Sequence, residues 1–213
     1  MILKGLKNLD CLLRTCAQCH GFWGLVSYFC PRCWIKFCLT NQDPLFLFRS
    51  EMGFPVYSLF AWKPDNDKLL RSFTYSHKGT VLRKSWHDIA AYFIQRRIAL
   101  GPLGSKTHLV FAPSRFPKKT DHAFVFAREL SKLCKLPVLD LFERQDITEQ
   151  KQKSLADRKN VRFVLTMPLA RHGRYIFVDD LYTTGSTALA AYKALNKPKN
   201  FEVWTSVRKY LNY

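Results

Sequence analysis

Long hydrophobic runs are missing from this 213-residue sequence. No apolar stretch approaches the roughly 20 residues that a helix needs to cross a bilayer. Lys4, Lys7 and Asp10 interrupt the first ten residues before the apolar core of a signal peptide can form. We therefore expect a cytoplasmic protein, with any membrane association peripheral and at the inner face of the membrane.

Acidic residues are scarce, with 16 Asp and Glu against 34 Lys and Arg, which gives a net charge of +18. The excess is spread through every quarter of the chain. Such a field attracts polyanions by electrostatic steering and by release of their condensed counterions. Nucleic acid, a polyphosphate ligand and an anionic membrane face all remain compatible with it, as does a general basicity of the organism's proteins.

The size and composition favour one α/β domain with a small appendage. A chain of 213 residues that is 47% hydrophobic can bury a substantial core. We predict a cysteine-containing module over residues 1–50 and the larger domain over residues 51–213.

Seven cysteines, an odd number in a chain with no export signal, indicate reduced thiols more than a disulfide framework. Two Cys-x-x-Cys pairs, Cys16 with Cys19 and Cys30 with Cys33, are separated by ten residues. Each pair can form a tight knuckle, and two knuckles complete a tetrahedral Zn²⁺ site. Four sulfurs leave no open position on the metal, so we expect a structural zinc. Redox chemistry at one pair is the alternative.

Aromatic residues surround this module, and two explanations for them stay open. They can stack on unpaired bases, or they can form the core of a short module. Cys38 is most simply a small buried hydrophobe, and buried packing is also expected for Cys134. The aromatic residues are Phe22, Trp23, Tyr28, Phe29, Trp34 and Phe37.

Apolar strand patterns alternate with helical patterns along the rest of the chain. Such alternation predicts a mostly parallel sheet flanked by helices, with a binding crevice at the carboxyl ends of the strands. Strands are predicted at 56–62, 108–112, 138–142, 161–165, 175–178 and 202–207, and helices at 65–73, 80–97, 121–134 and after residue 187.

The most informative segment follows the apolar run 175–178. Two adjacent carboxylates lead into a loop of hydroxyls and one glycine, and a helical pattern follows. Loop N–H groups and the helix dipole favour a phosphate, and glycine lets the backbone approach it. The carboxylates can accept hydrogen bonds from ribose hydroxyls or help to hold hydrated Mg²⁺. The alternative is a capped helix that binds nothing. The candidate ligand-binding residues are Asp179, Asp180, Thr183, Thr184, Gly185, Ser186 and Thr187.

A second loop falls at the end of the predicted strand 108–112. Its N–H groups, Ser114 and Arg115 are suited to a pyrophosphate, although an ordinary turn explains the same residues. The polar segment 144–160 is either a solvated surface or a mobile flap over the crevice.

Residues 179–187 resemble the 5-phosphoribosyl-1-pyrophosphate (PRPP) signature of type I phosphoribosyltransferases. With the two cysteine pairs in front of it, the chain is identified as similar to the competence protein F (ComF) family. Residues between these motifs also match the family spacing, namely Arg144, Thr148, Gln150, Leu155, Arg158 and Asn160. Three features depart from related patterns. Ala112 begins the pyrophosphate loop where valine and a second proline are typical, and residues 118–122 replace an Arg-Gly-Phe-Asn-Gln-like run. Thr183 stands where purine-salvage enzymes carry an aspartate.

The resemblance implies a type I phosphoribosyltransferase-like fold, an N-terminal zinc finger, and binding of PRPP with Mg²⁺. It also implies a role in natural transformation, in which the protein assists the import or handling of single-stranded DNA together with uptake helicase, channel or processing proteins. Two other hypotheses stay open. One is an active phosphoribosyltransferase on an unidentified nucleophile, with DNA binding incidental. The other is a transferase fold kept as a partner-binding module. No catalytic residue is predicted.

Overall fold

The structure is a computed structural model that describes residues 16, 29–63, 70, 83–104, 106–114, 121–145, 161–169 and 173–210. Its helices are α1 (Pro31–Asn41), α2 (Arg83–Ile98), α3 (His122–Cys134) and α4 (Ser186–Ala194). Its strands are β1 (Leu47–Arg49), β2 (Pro55–Trp62), β3 (Thr107–Phe111), β4 (Val138–Leu139), β5 (Phe142–Arg144), β6 (Phe163–Leu165), β7 (Arg174–Tyr182) and β8 (Phe201–Lys209).

A six-stranded sheet forms the centre of the described chain, in the order β1-β2-β8-β7-β3-β4. The edge strand β1 is antiparallel to β2, and the remaining neighbours are parallel. Strands β5 and β6 form a separate antiparallel pair. The predicted α/β class, a mostly parallel sheet flanked by helices, is confirmed.

Helices cover both faces of the sheet. On one face, Phe93 of α2 lies 5.1 Å from the ring of Trp204 and 5.9 Å from the ring of Phe126 in α3. On the other face, Tyr192 of α4 lies 5.2 Å from Phe201. Phe201 and Trp204 are three positions apart on β8 and therefore point to opposite faces. The strands are buried between two layers, which explains their almost continuous apolar runs.

The strand order places a crevice between β3 and β7. These strands are neighbours, but from β3 the chain continues through α3 to β4, whereas from β7 it continues through α4 to β8 on the other side. Connections that diverge in this way leave an opening at the carboxyl ends of the two strands, where α/β sheets bind ligands.

Several boundaries differ from the sequence predictions. The predicted strand 138–142 is divided between β4, which pairs with β3, and β5, which pairs with β6 instead of with the large sheet. Strand β7 does not end at Val178 but continues to Tyr182, because β8 is long enough to pair with its last residues. Helix α1 and strand β1 were not predicted. The helix expected over 65–73 lies outside the described residues apart from residue 70.

The N-terminal segment packs against the large sheet. Phe37 of α1 lies 5.0 Å from the ring of Phe60 in β2, and β1 extends the sheet beyond β2. The division into residues 1–50 and 51–213 stays a prediction. Among the described helices, none combines the length and the apolar character required to cross a bilayer.

Candidate functional site

The two predicted ligand-binding loops meet at the carboxyl ends of β3 and β7. Strand β3 pairs with β7 as far as Phe111 and Val178, and the next N–H, that of Ala112, donates to the carbonyl of Val178 at 3.0 Å. Residues 112–114 therefore leave the sheet beside Asp179 and Asp180. The structure brings the first loop and the acidic pair together, as the sequence predicted.

Asp180 faces α3, where it meets a residue that the sequence analysis did not identify. Nδ1 of His122 lies 3.0 Å from Oδ2 of Asp180. Only 12% of the His122 side chain and 27% of the Asp180 side chain are exposed, and the imidazole packs 5.9 Å from the ring of Trp86. The signal that could have revealed this contact is the position of His122 in the first turn of α3, since that helix follows a loop at the same edge of the sheet.

Asp121 joins the start of α3 to the first loop. Its carboxylate caps the helix by accepting the N–H of Ala123 at 3.2 Å, and it also interacts with the backbone N–H of Ser114. Burial raises the pKa of Asp121, although these N–H groups act against the shift. Ser114 is half-buried and its N–H is directed to Asp121 in this structure. Arg115, the other residue predicted to contact pyrophosphate, lies outside the described residues.

The acidic pair is electrostatically unequal. Burial, the charge of Asp180 and a hydrogen bond with Asp180 hold the pKa of Asp179 well above its usual value, and Asp121 adds to the effect. For Asp180, burial acts to raise the pKa, but hydrogen bonds from His122 and Asp179 outweigh it and leave the pKa lowered. Asp179 therefore interacts with the carboxyl groups of Asp180 and Asp121, and His122 contacts Asp180.

This crowding fits a cation. Oxygen atoms of carboxylates are the ligands that Mg²⁺ takes in proteins, and a divalent ion removes the repulsion that raises the pKa of Asp179. Asp179 and Asp180 are the carboxylates that would hold such an ion.

The hydroxyl-rich loop after β7 needs glycine at one position. Gly185 has φ +74° and precedes the first residue of α4. A Cβ atom there would lie 2.9 Å from Cζ of Tyr182, so both the backbone conformation and the space require glycine. Thr183 and Thr184 are exposed, and Oγ1 of Thr184 lies 2.6 Å from Oγ of Ser186. Exposed hydroxyls at a helix N-terminus are a suitable environment for a phosphate. The ligand contacts of residues 183–187 stay predictions.

A cluster of three cysteines lies at the start of α1. The sulfur atoms of Cys16, Cys30 and Cys33 are all within 4.8 Å of one another. The N–H of Cys30 also donates to the sulfur of Cys16 at 3.4 Å. Zn–S bonds of about 2.3 Å put tetrahedral sulfur ligands roughly 3.8 Å apart, so the cluster fits Zn²⁺. Cys19, the fourth predicted ligand, lies outside the described residues.

The aromatic residues beside this cluster form a core where the structure describes them. Phe29 and Phe37 are 2% and 0% exposed, and their ring centroids are 4.6 Å apart. Trp34 packs 5.9 Å from Phe37 and is partly exposed. Burial, with a smaller contribution from Asp88, raises the pKa of Cys38 to about 12, so this thiol is inert. Packing therefore accounts for Phe29 and Phe37, whereas Trp34 keeps an exposed edge.

Comparison with known protein families gives no match, and no curated protein matches the sequence. Among solved structures, the chain is similar to a purine phosphoribosyltransferase from Pyrococcus horikoshii Ot3. The identity is 14% and the TM-score 0.36, over 58% of this chain and 82% of that chain. A likeness this distant assigns neither a ligand nor a reaction.

Proposed function

We propose that this chain has a type I phosphoribosyltransferase-like fold and binds PRPP with Mg²⁺ in the crevice between β3 and β7. One observation carries the proposal. The acidic pair, the hydroxyl-rich loop 183–187 and the loop 112–114 all lie where the connections from the two strands diverge. Each part matches one chemical group of PRPP.

The assignment of groups follows from charge and position. The loop 183–187, with the N-terminus of α4 behind it, would bind the 5-phosphate. Asp179 and Asp180 would hold Mg²⁺ and the ribose hydroxyls. Ser114 and Arg115 would contact the pyrophosphate. His122 positions Asp180, because its ring fixes one carboxylate oxygen at 3.0 Å before any ligand binds.

Binding of PRPP should therefore depend on Mg²⁺. Titration calorimetry of PRPP in the presence of Mg²⁺ is expected to give one site per chain. Replacing Mg²⁺ with a chelator should weaken the affinity at least about tenfold, because two carboxylates would then face an anionic ligand without a cation between them. Ribose 5-phosphate, which keeps the sugar and the 5-phosphate of PRPP but lacks the pyrophosphate, serves as the control ligand. Equal affinities with and without Mg²⁺ would refute the metal's place in the site.

We further propose that the protein acts in the cytoplasm, at the inner face of the membrane, in the handling of incoming single-stranded DNA during natural transformation. The resemblance to the competence protein F family and the net charge of +18 support this role. We expect uptake helicase, channel or processing proteins as partners. The same family resemblance implies that the cysteine module binds zinc.

Binding of single-stranded DNA should be strongly salt-dependent and should show little sequence preference. Phosphate contacts release counterions, with a slope of roughly −0.7 per phosphate on a logarithmic plot. Contact with about four phosphates would reduce the affinity about 50-fold when salt rises from about 50 to about 200 mM. Fluorescence anisotropy with oligonucleotides of different sequence measures both properties, and a flat salt response contradicts the proposal.

An active phosphoribosyltransferase is the second candidate, and the position of His122 favours it. An imidazole beside a ligand-binding carboxylate is a group able to transfer a proton near the reacting carbon. Release of pyrophosphate from PRPP, measured with a range of nucleophiles, distinguishes the two functions. Release that requires a particular acceptor indicates a transferase, whereas tight binding without release indicates a binding protein.

A further inference from the structure

A cavity lies beside the hydroxyl-rich loop, between this loop and the strands β1, β2 and β8. It has a volume of about 320 Å³ and is enclosed by the β1–β2 turn, the loop 183–185 and the carboxyl end of β8. Small-molecule sites have volumes of roughly 300–1,000 Å³, so one nucleotide-sized ligand fits. We call this cavity the β8 pocket.

Basic and aromatic side chains dominate the wall of the β8 pocket. Its charged residues are Arg49, Arg208 and Lys209 against the single acid Glu51, and aromatic rings stand between them. Phe48 and Tyr182 meet edge to face with ring centroids 5.5 Å apart. Cations interleaved with rings are the combination that binds single-stranded nucleic acid, because the rings stack on bases and the cations neutralise phosphates.

Arg208 gives the wall of the pocket a fixed positive charge. The residue is only 9% exposed, and its guanidinium lies 4.2 Å from the ring centroids of both Phe48 and Tyr210. Nη2 donates to Oδ1 of the fully buried Asp43 at 2.7 Å. The charge of Arg208 is therefore held in one place by an acidic partner and two rings.

The anchoring of Arg208 explains why the pocket is preformed. The hydroxyl of Tyr210 also donates to Asp43, at 3.1 Å, and contacts Arg208. On the opposite wall, Nη1 of Arg49 donates to the carbonyl of Gly53 at 2.8 Å and closes the β1–β2 turn. Both sides of the pocket are thus fixed by contacts within the protein, which lowers the entropic cost of binding a ligand.

We propose that the β8 pocket holds one nucleotide of a single-stranded nucleic acid, with the base against Phe48 and Tyr182 and the phosphate near Arg49 and Lys209. This inference rests on the proposed function, since it assigns the incoming strand to a place on the protein. The loop 183–185 lines this pocket and would therefore lie between the bound nucleotide and the 5-phosphate of PRPP.

Two variants and a matched control test the proposal, with a fluorescent oligothymidylate of twelve nucleotides as the probe. Phe48→Leu removes a stacking surface, and Lys209→Gln removes a cation at the edge of the pocket, where its Nζ lies 5.0 Å from the ring centroid of Trp62. Lys199→Gln removes an exposed lysine just before the other end of β8, roughly 30 Å away. We expect Phe48→Leu to weaken binding about fivefold or more, in line with the effect of losing one stacked base. Lys209→Gln should weaken binding by a similar factor at low salt, because one phosphate contact is lost. The control should change the affinity less than twofold.

The outcomes distinguish a failure of this proposal from a failure of the proposed PRPP site. Affinity for PRPP with Mg²⁺ should remain unchanged in all three variants, which also shows that they are folded. If Lys209→Gln and Lys199→Gln weaken the oligothymidylate equally, or if Phe48→Leu has no effect, the strand binds a diffuse surface and the pocket assignment is wrong. Failure of the parent chain to bind the oligothymidylate overturns the pocket and the DNA-handling role together, but leaves the PRPP site standing.

Ultraviolet cross-linking gives a measurement that does not depend on any variant. Oligothymidylate cross-linked to the parent chain should be recovered on peptides that contain residues 48–54, 182–189 or 208–210, because these segments form the walls of the pocket. Cross-links confined to other segments would overturn the proposal.

Discussion

Replacement of both Asp179 and Asp180 by asparagine is expected to weaken binding of PRPP with Mg²⁺ at least about 100-fold. Hydrogen bonds to charged groups contribute roughly 1.5–3 kcal/mol each, and two of them are lost, which corresponds to at least a factor of 100 at about 1.4 kcal/mol for each factor of ten. Asparagine keeps the shape of the side chains, and its oxygen can still accept the bonds that Asp179 and Asp180 accept now. Titration calorimetry measures the change.

Glu143→Gln is the control for this variant, because Glu143 carries an exposed carboxylate on the small β5–β6 sheet. It should leave the affinity for PRPP unchanged. An unchanged affinity in the double variant would contradict the assignment of the ribose and the metal to these carboxylates.

Asp179→Asn alone should keep or raise the stability of the ligand-free chain, although it weakens the ligand site. Because the pKa of Asp179 is raised in the folded chain, the folded state binds this proton more tightly than the unfolded state. The free energy of unfolding therefore falls as the pH rises above the usual pKa of an aspartate towards the raised one. Asparagine removes that loss, so the ligand-free variant should melt at an equal or higher temperature than the parent at neutral pH. A lower melting temperature would show that the carboxylate stabilises the fold.

Replacement of Cys33 by serine is expected to remove the metal and to unfold the segment around α1. Structural Zn²⁺ contributes roughly 10–16 kcal/mol to the folding of small zinc modules at neutral pH, far more than their own cores supply. The parent chain purified under reducing conditions should contain one zinc per chain by elemental analysis. The variant should contain almost none, and its near-ultraviolet circular dichroism should lose the contribution of the packed aromatic residues.

Cys134→Ser provides the matched cysteine control. The thiol of Cys134 lies outside the cluster and donates to the carbonyl of Leu130 at 2.9 Å, a bond that serine can keep. This variant should retain one zinc per chain. Zinc retained by Cys33→Ser, or lost equally from both variants, would contradict a site built on the cluster.

The architecture could be predicted from the sequence because the apolar runs and the helix-capping residues indicate the same order of strands and helices. Apolar runs such as 109–112 and 175–178 have no polar residue to interrupt them, so they are recognisable as strands buried on both faces. Helix α3 was placed accurately because Asp121 is a good capping residue and its side chain does cap the helix. Strand β5 was misassigned because two short apolar segments follow one another, and only the tertiary pairing with β6 separates them.

The candidate site was predictable in part for the same reason. Asp179, Asp180 and Gly185 are adjacent in sequence, and a local pattern reveals them. The contact between His122 and Asp180 joins residues 58 positions apart, and no local spacing indicates it. The bond between Arg208 and Asp43 spans 165 positions and depends on the place of β8 next to β2. Contacts of this kind follow from topology and not from sequence periodicity.

The continuation of β7 to Tyr182 has a consequence for how a ligand is received. The acidic pair sits on backbone that is already hydrogen-bonded to β8, with Asp179 opposite Thr205, and the hydroxyl of Ser206 donates to the carbonyl of Asp180 at 2.6 Å. The backbone that carries the acidic pair is therefore fixed before a ligand binds. A ligand that contacts these two carboxylates finds them already in place, so its association rate should not be limited by a rearrangement of the strand.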